Sequence, residues 1–265
     1  SYAHEHLNAL YGKKYPRNFR PHDISYRKDS PEELAVINYT SGTTGTPKGV
    51  PLSHKNIMYN VRELPPLIAL QSSDLWVSIL PSWHIFERAA EYLALSKGCC
   101  TVYSTIKTFA SDLEHYKPTL VATVPRLWES MYTKINTALE KKDAKKAKIF
   151  KKLVAISAAY NYNLRVLKEE LPVFERKSFI FTCKDKLIAS LKLLALYPLN
   201  AFAKKKLTLV QEKFGGRLRL AISGGGALPD FLDAWIDAIG IRIVNAYGMT
   251  ECAPLICHSR WDEIL

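Results

Sequence analysis

Paired cysteines are missing from this 265-residue chain. Its five Cys (Cys99, Cys100, Cys183, Cys252, Cys257) have neither the regular spacing of a disulfide framework nor a C-x-x-C pair for zinc. A reducing, cytoplasmic setting is therefore expected. No run of 18 apolar residues exists to span a bilayer, and Ser1, Tyr2, Ala3 and His4 do not begin a basic-then-apolar secretory signal. The first residue is not Met, so a piece cut from a longer chain is expected.

Acidic residues are also scarce, 25 Asp+Glu against 37 Lys+Arg, for a net charge of +12. Between Lys134 and Val210 there are 18 Lys+Arg and 6 Asp+Glu, which leaves 19 of each elsewhere. The whole excess sits in one segment. A nucleic-acid binder would spread a basic stripe with base-reading residues across its fold, so nucleic acid is not the expected partner and the block reads as a docking surface.

With 48% hydrophobic and 23% charged residues, the chain has the balance of a folded protein. Ser30-Pro31-Glu32-Glu33 predicts a turn of helix, Ala35 to Thr40 a strand, and Ser41 to Gly49 a Gly/Thr-rich loop. Ser53 predicts a cap for a helix from His54 to Leu64, stopped by Pro65 and Pro66. Trp76 to Leu80, Cys99 to Tyr103 and Leu120 to Val124 are strand-length apolar runs, with helical patterns at Glu87 to Leu95 and from Arg126 onward. Leu218 to Ile222, a glycine turn, a helix over Pro229 to Ile239 and a strand over Ile241 to Ala246 continue the alternation. The expected fold is α/β, a mostly parallel sheet with crossover helices. Lys134 to Lys213 interrupts it as a Lys-rich helical insertion, dividing one structural domain into regions 1–133, 134–213 and 214–265.

Three motifs carry chemistry. In Tyr39-Thr40-Ser41-Gly42-Thr43-Thr44-Gly45-Thr46-Pro47-Lys48-Gly49, glycines let backbone N–H groups approach an anion, hydroxyls add donors and Lys48 adds a mobile charge. That suits a polyphosphate. It is not a Walker loop, because Pro47 precedes Lys48 and Gly49 replaces the magnesium-binding Ser/Thr. Ser223-Gly224-Gly225-Gly226-Ala227 is a glycine turn between a strand and a helix, and Asn245-Ala246-Tyr247-Gly248-Met249-Thr250-Glu251 places an aromatic, a hydroxyl and a carboxylate close together.

In this order and spacing the three motifs resemble those of the adenylate-forming (AMP-binding) superfamily. Leu80-Pro81-Ser82-Trp83-His84-Ile85-Phe86-Glu87-Arg88 and Val124-Pro125-Arg126-Leu127-Trp128-Glu129 resemble elements of its long-chain fatty acyl-CoA synthetases. The resemblance spans nearly the whole chain and implies the N-terminal domain of such an enzyme, incomplete at both ends. It implies a ligase that converts a long-chain fatty acid and ATP to acyl-adenylate and pyrophosphate, then transfers the acyl group to coenzyme A. An acyl-acyl carrier protein synthetase, or a truncated relative that binds nucleotide or lipid without chemistry, is the alternative.

Residue by residue, the resemblance implies Thr40, Ser41, Gly42, Thr43, Thr44, Gly45 and Lys48 for the phosphates. It implies Gly225, Gly226, Ala227, Asn245, Tyr247 and Gly248 for adenine, Thr250 for the α-phosphate, and Glu251 with Thr43 for Mg²⁺. His84 falls to the acyl carboxylate; Glu87 and Arg88 can equally be an internal ion pair. A ribose-binding aspartate, a hinge and a C-terminal lysine of the complete enzymes lie beyond Leu265, so the chain alone is expected to be inactive. Lys141 to Lys152 holds seven Lys, and Phe179 to Lys206 mixes Lys with large apolar residues. This fits a peripheral site on an anionic membrane, an acidic acyl carrier protein, or a solvated helical face.

Overall fold

The computed structural model describes residues 9, 12, 13, 30–41, 45–171 and 178–258. Its elements in chain order are β1 (Leu34–Thr40), β2 (Lys48–Ser53), α1 (His54–Leu67), β3 (Leu75–Ser78), α2 (Ile85–Ser96), β4 (Cys100–Tyr103), α3 (Phe109–Tyr116) and β5 (Leu120–Thr123). There follow α4 (Pro125–Lys142), α5 (Ala144–Lys168), α6 (Phe179–Gln211), β6 (Leu220–Ser223), α7 (Asp230–Ala238), β7 (Ile243–Gly248) and β8 (Leu255–His258). The main sheet runs β4-β3-β5-β6-β7-β8, parallel except where β8 returns antiparallel to β7. A mostly parallel sheet with crossover helices is the architecture expected from the sequence.

Period-two alternation builds the layers, because successive side chains leave a strand on opposite faces. Trp76, Leu120, Ala122 and Leu220 point to one side and pack with α2 residues Ala90 and Leu93 and the chain at Ile68 and Leu70. Val77, Val121 and Ala221 point to the other and meet Trp128 of α4, Phe150 of α5, Leu207 of α6 and Leu232 and Trp235 of α7. Both faces are covered, which is why these strands read as continuous apolar runs. Between residues 134 and 213 the described residues are mostly helical, as expected, and their buried stripe is part of the main core.

A polar staple closes the amino ends of the central strands. Arg219 donates to the carbonyls of Ile68 and Ala69 and to Asp74 Oδ2 at 2.7 Å, while the Thr119 hydroxyl donates to Asp74 Oδ1 at 2.7 Å. Burial works to raise the Asp74 pKa. The Gln71 N–H, the Thr119 hydroxyl and Arg219 outweigh it, and the carboxyl sits below its ordinary value.

Local structure departs from the sequence expectation in three places. Ser30 starts only a turn, closed by the Glu33 N–H on the Ser30 carbonyl, before β1 begins. Lys48–Ser53 is a strand, since its backbone groups pair with β1 from Thr40↔Lys48 inward. Helix α1 runs through Pro65 and Pro66 to Leu67, because a proline in the last turn loses one hydrogen bond and the Ile68 N–H still caps the Leu64 carbonyl. Ser53 caps α1 as expected, with a reciprocal bond between Asn56 and the Ser53 N–H.

Candidate functional site

The sheet order reverses between β3 and β5, and in open α/β sheets ligands bind beyond the carboxyl ends of the strands around such a point. All the sequence motifs except the phosphate loop leave the sheet there. The stretch Ile79 to His84 follows β3, Val124 and Pro125 follow β5, the glycine turn follows β6, and Tyr247 and Gly248 end β7.

Helix α2 starts at this end, and His84 is its cap: the Phe86 N–H donates to His84 Nδ1 at 3.2 Å. That bond occupies Nδ1 as an acceptor, so Nε2 carries the proton of the neutral ring. A cavity of about 130 Å³ is lined by His84, Phe86, Gly225, Tyr247, Gly248 and Thr250, among others. Residues 84–86, 224–225, 246–250 and 254–255 thus converge on one hole.

Glycine is sterically required at one of these positions and favoured at two more. A Cβ on Gly248 would fall 2.1 Å from the Pro254 carbonyl oxygen, where β7 and β8 cross. On Gly224 it would meet the Phe86 ring at 3.2 Å, and Gly225 sits at φ +74. Gly226 lies beside Pro125 and, like Ala227, is outside the residues lining the cavity. Asn245 pairs with Ser223 across β6 and β7.

The phosphate loop is the tip of the β1–β2 hairpin. Gly42, Thr43 and Thr44 lie outside the described residues; Thr40 and Lys48 face each other at its base, and Gly45 adopts φ +81. Two contacts bring the hairpin to the cavity. Asn38 Nδ2 donates to the Trp83 carbonyl at 3.1 Å, next to His84, and a small core joins Leu52, Ile57 and Val61 to Ile85 and Ala253. Asn60 Nδ2 adds a bond of 2.7 Å to the Ala253 carbonyl, steadying the turn Thr250–Cys252 that carries Glu251. Glu251 is exposed, and no cluster of three metal-ligating side chains exists among the described residues.

Glu87 forms no ion pair among the described residues, whereas Arg88 Nε reaches the Ser82 carbonyl at 3.4 Å. Glu87 is fully buried, and neither carboxyl oxygen has a hydrogen-bond partner. Burial, aided by the negative charge of Glu91, raises its pKa to about 7; the Ser78 hydroxyl, which donates to Glu91 at 3.4 Å, and the Leu80 N–H stand near enough to pull it down by less, without forming a hydrogen bond to Glu87.

Beside the first cavity lies an apolar one of about 50 Å³. It shares Phe86, Ala246, Pro254 and Leu255 with its neighbour and adds Leu64 and Trp76, so a chamber carrying His84, Tyr247 and Thr250 has a wholly apolar annex. Phe86 divides them. Sequence reasoning missed this residue as a site wall, although it sits two residues after His84 in the same motif, because only the fold brings it against Gly224.

The pattern of the AMP-binding enzyme family matches residues 4–264. The chain is 34% identical to a chloroplastic long-chain-fatty-acid–[acyl-carrier-protein] ligase of Arabidopsis thaliana over 88% of this chain and 33% of that protein. To a peroxisomal long-chain acyl-CoA synthetase of the same plant it is 30% identical, over 95% of this chain and 31% of the relative. The chain thus spans about a third of the length of these curated relatives. Among solved structures, a long-chain-fatty-acid-CoA ligase from Archaeoglobus fulgidus superposes with a TM-score of 0.53 at 19% identity, covering 91% of this chain and 36% of that one. At that identity the likeness speaks for the fold.

Proposed function

The chain belongs to the AMP-binding enzyme family, and on that premise we propose that the protein it is part of activates a long-chain fatty acid with ATP and passes the acyl group to coenzyme A. The observation that carries the reading is the shared cavity, in which His84, Gly225, Tyr247 and Thr250 line one chamber with an apolar annex behind it.

In this reading a fatty-acid carboxylate oxygen attacks the α-phosphorus of ATP, the bond to the bridging oxygen breaks, and pyrophosphate leaves. A thiol then attacks the acyl carbon and AMP departs. Thr40, Ser41, Gly42, Thr43, Thr44, Gly45 and Lys48 hold the phosphates; Gly225, Tyr247 and Gly248, which line the cavity, frame the adenine, with Gly226, Ala227 and Asn245 flanking them in the chain; Thr250 donates to the α-phosphate. His84 offers Nε2–H to the acyl carboxylate, since Nδ1 is held by the backbone. The acyl chain starts into the annex past Phe86. No protein nucleophile is needed, because alignment of two anions and charge neutralisation supply the rate. A single exposed carboxylate, Glu251, with Thr43 beside the phosphates, fits Mg²⁺, which takes one or two protein oxygens and fills its shell with phosphate and water. When bound, the ion neutralises charge on the phosphates.

A carrier-protein thiol is the second acceptor, favoured by the ligase relative at 34% identity. The test is fatty-acid-dependent exchange of labelled pyrophosphate into ATP by the product of the whole reading frame, with Lys48→Ala alongside and both acceptors offered in turn. Exchange that needs a long-chain acid and falls at least tenfold in the variant supports the reading. No exchange with any acid in a folded protein overturns it and leaves a binding module. The 265-residue chain alone is expected to bind ATP without turnover, and steady acyl thioester formation by it would contradict that expectation.

A further inference from the structure

Helix α6 is apolar on two opposite sides. At 100° per residue, Ala189, Asn200, Ala203 and Leu207 share one stripe, are buried, and join the helix to α5 and the core. Ile180, Leu187, Leu191, Leu194, Phe202 and Leu209 share the stripe on the other side, and their relative exposures run from 56% to 77%. The outer stripe runs from Ile180 to Leu209, 30 residues and about 44 Å of helix. A helix exposed on a polar face needs nothing more, whereas one with a second apolar stripe has surface left to cover.

Charge indicates the cover. Lys184 and Lys205 are exposed within the stripe and Lys206 beside it, and none of the three makes an ion pair among the described residues. Lys206 lies over the Phe202 ring at 5.8 Å, its stem along the apolar surface and its ammonium at the edge. At the same end an apolar groove of about 280 Å³ runs between α5 and α6, with Phe150, Leu153, Phe202 and Val210 inside and Lys146 and Lys206 at its rim.

We propose that the outer face of α6 lies on an anionic lipid surface, with the apolar stripe at the acyl boundary and the flanking Lys on headgroup phosphates. A second copy of this chain fits poorly, because two such faces would oppose Lys to Lys in a segment with 18 Lys+Arg and 6 Asp+Glu. No helix among the described residues is long and apolar enough to cross a membrane, so this one lies along the surface. The proposal goes beyond the adenylation reading and stands without it.

The experiment sediments the product of the whole reading frame with vesicles of phosphatidylcholine, with and without 30 mol% phosphatidylglycerol (about one lipid in three anionic). It compares the wild type, Leu191→Asp/Leu194→Asp and Lys184→Glu/Lys205→Glu/Lys206→Glu, each checked for an unchanged melting temperature and for mass in solution. Binding to the anionic vesicles only, reduced by added salt and weakened at least tenfold in both variants, supports the proposal. Equal binding by all three proteins, or none by the wild type, overturns it. So does a dimer that the Leu variant dissociates, or a large fall in its melting temperature, either of which assigns the stripe to a protein contact. The readout is binding alone, so its failure is distinct from a failure of pyrophosphate exchange.

Discussion

Glu87 is the residue whose environment differs most from what its type prefers: a carboxyl with no exposure, no partner on either oxygen and a pKa raised to about 7. Because the folded pKa lies above the unfolded value, the native state binds a proton that the unfolded chain releases. Stability from this residue is therefore full below about pH 4.5 and lost as pH rises toward 7. Glu87→Gln removes that slope and is expected to stabilise the fold at pH 8 by on the order of 3 kcal/mol, little at pH 5. Urea denaturation at the two pH values measures it, and an equal effect at both would mean that the carboxyl titrates normally. Glu251 is the contrasting carboxylate, exposed on a short turn. Glu251→Gln should leave the denaturation midpoint unchanged while pyrophosphate exchange falls about a hundredfold or more, since under the proposed function it removes the carboxylate that would hold Mg²⁺. Near-normal exchange would remove the metal assignment.

Among the elements, capping was legible and pairing was not. Ser53 and the first turn of α1 were read locally; Asp143, whose Oδ1 accepts from the Lys145 and Lys146 N–H groups at the start of α5, is a cap of the same kind that the sequence reading passed over inside a run of Lys. Asp143→Ala is expected to cost about 1 kcal/mol, read as a lowered midpoint in thermal unfolding. No change would mean that α5 is held by its packing alone. Strand β2 escaped the sequence reading because Lys48-Gly49-Val50-Pro51-Leu52-Ser53 holds a glycine and a proline and owes its extended form to β1. Strand β8 escaped too, being four residues defined by the return against β7. A helix in the right segment could be inferred for α6, but its two apolar stripes separate only when one is seen packed and the other exposed.

Over the whole molecule, the sheet is held at one end so that the other can be open. The Asp74–Arg219–Thr119 staple joins the approaches to β3, β5 and β6 opposite the cavity. Arg219→Met is expected to destabilise by about 2 to 3 kcal/mol, because it leaves Asp74, 6% exposed, without its cation. The loss should shrink in acid: Asp74 is held below its ordinary pKa, so its contribution is present above about pH 4 and fades as pH falls through the folded value. Denaturation at pH 7 and pH 3 checks this, and a constant difference would assign the effect to lost packing.

The sequence alone determined the class of fold, through apolar runs of strand length alternating with helical patterns, and the family, through glycines and hydroxyls that few other chemistries place together. These are local properties, set by which backbone angles and periodicities each residue tolerates. Only the tertiary structure decided that His84, 141 and 163 residues before Gly225 and Tyr247, shares a cavity with them, that Phe86 lines both this cavity and its apolar annex, and that Glu87 and Arg88 do not pair. Such meetings depend on strand order and on which face each strand turns to its neighbours, and neither is contained in any local stretch of the chain.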